Sequence, residues 1–290
     1  MTTPVRVAAC QYPIERLKRW SDFRAKLTAL VEAAARGGAR LAVFPEYASL
    51  ELAALFDASI VGDLRAQLAA LETLHDDYVA LSAELSGRFG VDLLAASLPT
   101  RVGGEYRNRA YFFRNGVASQ QEKIQMTRFE REEWGITGGD RLRVFRADYG
   151  LVAIAICYDA EFPELVRRQT DAGATIVLVP SCTDTAHGAA RVEIAARARA
   201  LENQCYVVCA PTWGDAPWSP ALDVNTGRAG IYTPVDRGFP ANGILAQGDA
   251  RAPGWTFADL SLPALTEVRA SGQVLNYRDA ARTWPAVESG

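Results

Sequence analysis

Cys157 closes an apolar, β-branched run, residues 151–156, and a helical pattern opens a few residues later. A thiol at the carboxyl end of a buried strand, facing the crevice before a helix, is placed to act as a nucleophile. Taken alone, such a cysteine reads as core, because free cysteine is among the most buried residue types. Two further strand-like runs end in charge. These are Glu46 in Phe44-Pro45-Glu46-Tyr47, and Lys123 in Gln121-Glu122-Lys123-Ile124-Gln125-Met126. Each alone would be a solvated loop or edge charge. Together the three types make a chemistry. An ordinary thiol has a pKa of about 8.5, so its proton must be taken before it attacks carbon. A desolvated carboxylate can take it. An ammonium group, with the backbone N–H of Tyr158, can stabilise the oxyanion that attack on an amide creates.

The elements that must position these groups alternate. A short apolar strand at 5–9 precedes a helix capped by Ser21, with Phe23, Leu27, Leu30, Val31 and Ala34 at helical spacing before Gly37-Gly38. A strand at 41–44 ends at Pro45. Residues 64–85 predict one long amphipathic helix with Leu68, Leu71, Leu74, Tyr78 and Leu81 on one face, and 91–97 a third strand. Residues 109–114 and 117–122 predict a hairpin about Asn115-Gly116. Strands follow at 143–145, 151–156, 175–180 and 206–211, with helices at 161–172 and 189–203. Short strands with Gly-rich turns are expected at 231–235, 243–246 and 255–259. Continuously apolar strands alternating with helices imply an α/β fold with sheets covered on both faces. There are too many strands for one open sheet, which suggests two sheets packed together with helices outside. Ser181, Cys182 and Thr183 end the 175–180 strand and are expected at the same crevice as Cys157. Trp134, Tyr47 and Trp213 are candidate aromatic walls, though core packing serves each equally well.

In the order Glu46, Lys123, Cys157, with Phe-Pro-Glu ending a strand and Cys157-Tyr158-Asp159 preceding Phe162-Pro163-Glu164, the chain resembles the nitrilase superfamily of carbon–nitrogen hydrolases. The resemblance runs from residue 5 to about 260. It implies a four-layer αββα sandwich, two mixed sheets between helix layers, usually paired as a homodimer. It implies a Glu-Lys-Cys triad of Glu46, Lys123 and Cys157 that cleaves a small-molecule amide, ω-amide or carbamoyl compound through a thioester acyl-enzyme. A nitrilase or an N-acyltransferase would use the same triad, and a non-catalytic scaffold would keep only the fold. Many members carry a second glutamate soon after the lysine. Glu130 is the candidate, with Glu132 and Glu133 as competitors. Ser181, Cys182, Trp134 and the Tyr158 amide are the substrate and oxyanion candidates, and Arg197, Glu202 and Asn203 resemble a helix supporting the site from behind. Where many relatives have Lys-x-His-Leu, this chain has Lys123-Ile124-Gln125-Met126. The run from Phe129 to Gly135 resembles an amidase-like branch of uncertain substrate, some of whose members are fused to an acetyltransferase domain. With the chain ending at Gly290, no such second domain is expected.

Of 290 residues, 49% are apolar and 22% charged, as expected of one sizeable core. One domain, 1–265, with a polar tail, 266–290, that reaches onto a partner subunit is the expected organisation. Net charge is −3 with no basic block, so neither nucleic acid nor an anionic membrane surface is an expected partner. No apolar signal core or membrane-length run is present, and a cytoplasmic location is expected. Five cysteines without a CxxC pair and only two histidines, His75 and His187, predict no metal and no cofactor. His187 is expected at the surface or as a helix cap.

Overall fold

The computed structural model describes residues 3–280 and 285–288. The first strand, β1 (Val5–Pro13), is longer than its apolar core, and α1 (Trp20–Arg36) starts just before Ser21. Arg19 is its N-cap, and Asp22 accepts the Arg19 backbone N–H at 3.1 Å. Gly37 and Gly38 end α1 as expected, Gly38 at φ 78°. β2 (Leu41–Val43) leads through a 3-10 segment (Ala48–Leu55) to α2 (Ala58–Val61), α3 (Leu64–Glu72) and α4 (His75–Phe89). The single helix expected over 64–85 is therefore two. The chain tightens where Thr73 and Leu74 donate to the carbonyls three residues back, and the Thr73 hydroxyl also bonds Ala70 O at 2.6 Å. Asp76 and Asp77 then open α4, where the helix dipole favours acids. The apolar stripe survives the break, with Leu68, Leu71, Tyr78 and Leu81 buried in one cluster.

β3 (Asp92–Leu94) is shorter than the strand expected over 91–97, and β4 (Leu98–Val102) starts just after that run. β5 (Glu105–Arg114) and β6 (Val117–Glu122) form the predicted hairpin. Arg114 pairs with Val117 across Asn115 (φ 50°) and Gly116 (φ 76°), the positive angles that a two-residue primed turn demands. After β7 (Ile136–Thr137) come β8 (Val144–Ala147), β9 (Gly150–Ile154), α5 (Pro163–Asp171), β10 (Ala174–Ser181), α6 (Ala186–Glu202) and β11 (Tyr206–Trp213). His187 lies exposed inside the first turn of α6, and Thr185 is the cap, accepting Gly188 N–H. β12 (Gly230–Tyr232), β13 (Ile244–Gln247), β14 (Gly254–Leu260), α7 (Leu262–Ser271) and α8 (Asn276–Asp279) complete the chain.

Two mixed sheets result. One runs β4-β5-β3-β2-β1, with β14 antiparallel to β1 and β6 and β7 against β5. The other contains β8 to β13, built on parallel β9, β10 and β11. Among the described residues they pair where Tyr12 and Pro13 meet Thr212 and Trp213. Period-2 alternation sorts the core. Val5, Val7 and Ala9 of β1 pack with β9, β10 and β11, whereas Ala8, Cys10 and Tyr12 pack with α1 and α4. The outer face of the second sheet takes Val166 of α5 and Val192, Ala196 and Ala200 of α6. The layers are helix, sheet, sheet, helix, the expected αββα arrangement. Beyond residue 265 the chain continues α7, which buries Leu265 and Val268, and Arg269 donates to the carbonyls of Gln204 and Asn203. Part of the expected tail, 281–284 and 289–290, lies outside the described residues.

Candidate active site

The carboxyl ends of β2, β9 and β10 and the end of the β5–β6 hairpin deliver their next residues to one cavity of about 650 Å³. Glu46 follows β2, and its extended chain is turned by Tyr47 at φ 57° into the 3-10 segment. Lys123 directly follows β6; its backbone N–H bonds Asn108 O at 2.9 Å. Cys157 opens a 3-10 turn (Cys157–Glu161) at φ 49°. A non-glycine residue held there costs about 1–3 kcal/mol and persists only where its surroundings fix it. The Arg199 guanidinium does so from α6, donating to Ala160 O at 3.2 Å while pairing with Glu202 at 2.6 Å. Arg199, not Arg197, therefore backs the site; Arg197 points to Asn242 O.

Lys123 Nζ lies 2.8 Å from Glu46 Oε1 and 2.6 Å from Glu130 Oε2, with all three side chains buried. Of the three acids in the Phe129–Trp134 helical turn, Glu130 alone turns inward. Glu132 faces solvent and pairs with Arg128, and Glu133 is exposed. Glu130 is gripped further by Tyr47 OH (2.8 Å), Thr127 N–H and Thr127 Oγ1 (both 2.9 Å). Glu46 accepts from Asn108 Nδ2 at 2.8 Å and from the Cys182 backbone N–H at 3.1 Å, and it contacts the Cys157 thiol. That thiol points toward Cys182 O, 3.8 Å away.

One cation faces two carboxylates. Burial would lower the lysine, but Glu130 and Glu46 outweigh it and hold Lys123 well above its ordinary value. Burial opposes ionisation of Glu130, yet Lys123 and the hydrogen bonds hold its pKa below normal. For Glu46 burial prevails over Lys123, so its proton affinity is raised. Burial, and then Glu46, keep the Cys157 thiol well above the ordinary range. A neutral thiol thus stands beside a carboxylate of raised basicity and a fixed ammonium. Cys182 is likewise raised by burial, to about 12, and its thiol turns to Asn225 Oδ1 at 3.6 Å, whereas the Cys157 thiol contacts Glu46.

Tyr158, Cys182, Thr183 and Trp134 line the same cavity. Trp134 packs against Tyr47 in a tilted pair, ring centroids 5.0 Å apart, and donates to Leu64 O. Ser181 does not line it. Strand alternation turns Ser181 to a separate cavity of about 430 Å³, where its hydroxyl faces Cys209 and Ala210 O. Trp213 likewise points elsewhere, to Ala250 O. Asn108, Thr127 and Asp159 were not singled out from the sequence. Asn108 and Asp159 are almost wholly buried. For Asp159 the available signal is its place in the Cys157-Tyr158-Asp159 motif. Among the described residues no cluster of three or more metal-binding side chains occurs. No helix among them is long and apolar enough to cross a membrane.

The fold has counterparts. The chain is 33% identical over 283 residues to the probable hydrolase YhcX of Bacillus subtilis (strain 168), covering 96% of this chain and 54% of that one. It therefore spans about half the length of that relative. It is 27% identical over 215 residues to omega-amidase NIT2-B of Xenopus laevis, covering 71% of this chain and 73% of that one. The crystal structure of Saccharomyces cerevisiae Nit3, a member of branch 10 of the nitrilase superfamily, superposes with a TM-score of 0.72. It is 19% identical and covers 93% of this chain and 94% of that one, a likeness of fold. The sequence pattern of carbon–nitrogen hydrolases matches residues 6–269, and over that span the chain belongs to the carbon–nitrogen hydrolase family.

Proposed function

We propose that the chain hydrolyses the carbon–nitrogen bond of a small amide, ω-amide or carbamoyl compound through a Cys157 thioester. The observation that carries this is the convergence of Glu46, Lys123, Glu130 and Cys157 at one buried point of the cavity wall. Glu46 takes the Cys157 proton as sulfur bonds to the substrate carbon. The carbonyl oxygen becomes an oxyanion beside the Lys123 ammonium and the Tyr158 backbone N–H. As the carbon–nitrogen bond breaks, Glu46 returns its proton to the departing nitrogen, and ammonia or an amine leaves. Water then gives a proton to Glu46 and attacks the thioester, the carbon–sulfur bond breaks, and the sulfur recovers the proton from Glu46. Glu130 stays ionised throughout and aims Lys123.

The test is ammonia release from a panel of short amides, ω-amides, carbamoyl compounds and nitriles, run on wild type and Cys157→Ala with intact mass recorded. Release that depends on Cys157 and passes through an acyl adduct supports the reading. An adduct that forms with one equivalent of ammonia or amine, and turns over only when an amine acceptor is added, points to acyl transfer. Silence in every assay removes the hydrolase assignment. The same reading takes the chain as a cytoplasmic homodimer or higher homo-oligomer. Its support is α6, where Ile194 and Leu201, seven residues apart, are 65% and 43% exposed. Sedimentation of wild type against Ile194→Asp checks this, and a wild-type monomer would refute it.

A further inference from the structure

We infer that Asp159 is a positioning residue whose carboxylate ties the Lys123 segment to the Cys157 turn, so that cation and nucleophile move as one body. The inference rests on the proposed roles of Cys157 and Lys123.

The two catalytic segments come from distant parts of the chain, and only the fold brings them together. Asp159, two residues past Cys157, is 1% exposed. Its Oδ1 accepts the backbone N–H of Gln125 at 2.7 Å and of Ile124 at 3.1 Å. Its Oδ2 accepts Ile124 N–H at 3.2 Å and Ile156 N–H at 3.2 Å. Ile124 and Gln125 directly follow Lys123, and Ile156 directly precedes Cys157. One side chain thus holds the peptide after the lysine and the peptide before the thiol. Among the described residues Asp159 forms no ion pair within 4.0 Å, so backbone amides are its hydrogen-bond partners.

A general structural acceptor would not need this chemistry. Three amide donors converge on two oxygens, and only the ionised carboxylate, the form held above about pH 7, offers acceptors on both sides. An asparagine at this position presents one oxygen and one NH2. Its NH2 would face an N–H donor, so one of the two segments must be released. The Cys157 backbone, at φ 49°, has no conformational preference of its own for this geometry and depends on such anchors. Because the link is between segments, its loss is expected to appear in how Lys123 acts on the thiol rather than in how substrate is held.

The test is the rate of Cys157 alkylation by iodoacetamide, followed by intact mass and expressed per site that can be labelled. It is run on wild type, Asp159→Asn, Lys123→Ala and the double variant. Expected is a slowing of roughly tenfold or more in Asp159→Asn. In the Lys123→Ala background the same change is expected to have little further effect, since both act through the same ammonium. With a turned-over amide, Asp159→Asn is expected to lower kcat with KM within about threefold. Wild-type alkylation per labelled site in Asp159→Asn, with only a lower Tm, overturns the inference and leaves the nucleophile standing. Additive effects in the double variant overturn it equally. A wild-type chain not alkylated at Cys157 removes the nucleophile itself and the inference with it. If Asp159→Asn does not fold, Asp159→Glu, which keeps both oxygens on a longer arm, is read by the same criteria.

Discussion

Lys123 Nζ and Glu130 Oε2 lie 2.6 Å apart with both side chains almost wholly buried, the tightest contact of the cavity's charged cluster. The pair divides the work of two carboxylates that share one cation. Glu130, held by Lys123, Tyr47 and Thr127, is fixed as an anion, whereas Glu46 is left with raised proton affinity. Two groups of one chemical type are pushed apart by environment, so one anchors and one exchanges protons.

Glu130→Gln keeps the shape and removes the charge. Lys123 is then left with Glu46 alone, which lowers the proton affinity of Glu46 and weakens it as a base. A fall in kcat of roughly ten- to a hundredfold, with KM little changed, is the expected kinetic result. Removing one partner of a buried pair also costs about 3–5 kcal/mol, so Tm should fall measurably in a thermal melt. Unchanged turnover would show that the lysine needs no second carboxylate.

Lys123→Ala removes the cation from between two buried acids. Loss of an oxyanion donor lowers kcat by roughly 10²–10³. Repulsion between Glu46 and Glu130 should bring a proton onto one of them in the folded state. Steady-state kinetics against the Cys157-dependent substrate measures the first effect, and a purely KM-borne loss would deny Lys123 its role.

The pH dependence has a worked sign. Turnover needs Glu46 ionised, and its folded pKa is raised, so activity should rise with pH through an acid limb lying above the ordinary glutamate range. Stability runs the other way at Asp159. Burial raises its folded pKa from 3.8 to about 7, with the Ile124, Gln125 and Ile156 amides and Lys123 only partly opposing. The folded state therefore binds a proton that the unfolded state has lost between those values. Stability falls as pH rises through that window, by up to about 4 kcal/mol from this group. Melting temperatures from pH 4 to 8 should show the slope in wild type and a shallower one in Asp159→Asn. Equal slopes would contradict this assignment.

The sequence carried the strand-borne residues well because their positions follow from period and punctuation. Phe44-Pro45 ends a strand before Glu46, Asn115-Gly116 turns the hairpin that delivers Lys123, and an apolar run stops at Cys157. What escaped was set by tertiary contact. Asn108 reaches Glu46 across 62 residues, and Asp159 reaches Gln125 across 34, separations on which no local pattern reports. Ser181, expected at the Cys157 crevice, lines the smaller neighbouring cavity, because placing a strand end does not decide which face its last residue takes. The break between α3 and α4 escaped for a related reason. Tight turns at Thr73 and Leu74 left the apolar stripe intact, so periodicity carried no trace of them.

Substrate charge is the final expectation, and it comes from the cavity wall. Five carboxylates line it, Glu46, Glu130, Glu161, Asp184 and Asp223, against three cations, Lys123, Arg128 and Arg191. The cations are spoken for. Lys123 sits between Glu46 and Glu130, Arg128 bonds Glu132 at 3.0 Å, and Arg191 lies 3.5 Å from Glu161. A substrate carboxylate would enter a field of surplus negative charge, whereas an ammonium would meet Glu161 and the exposed Asp184 and Asp223. Partly solvated charges at such distances are worth about 1 kcal/mol, or roughly five- to tenfold in kcat/KM. Among amides of similar length, β-alaninamide and butyramide are expected to exceed succinamate by that factor at low ionic strength. Because the effect is Coulombic, 0.5 M salt should narrow the gap, and Glu161→Gln should narrow it without salt. A preference for succinamate that survives in Glu161→Gln would mean that Arg191 or Arg128 turns inward to meet the substrate.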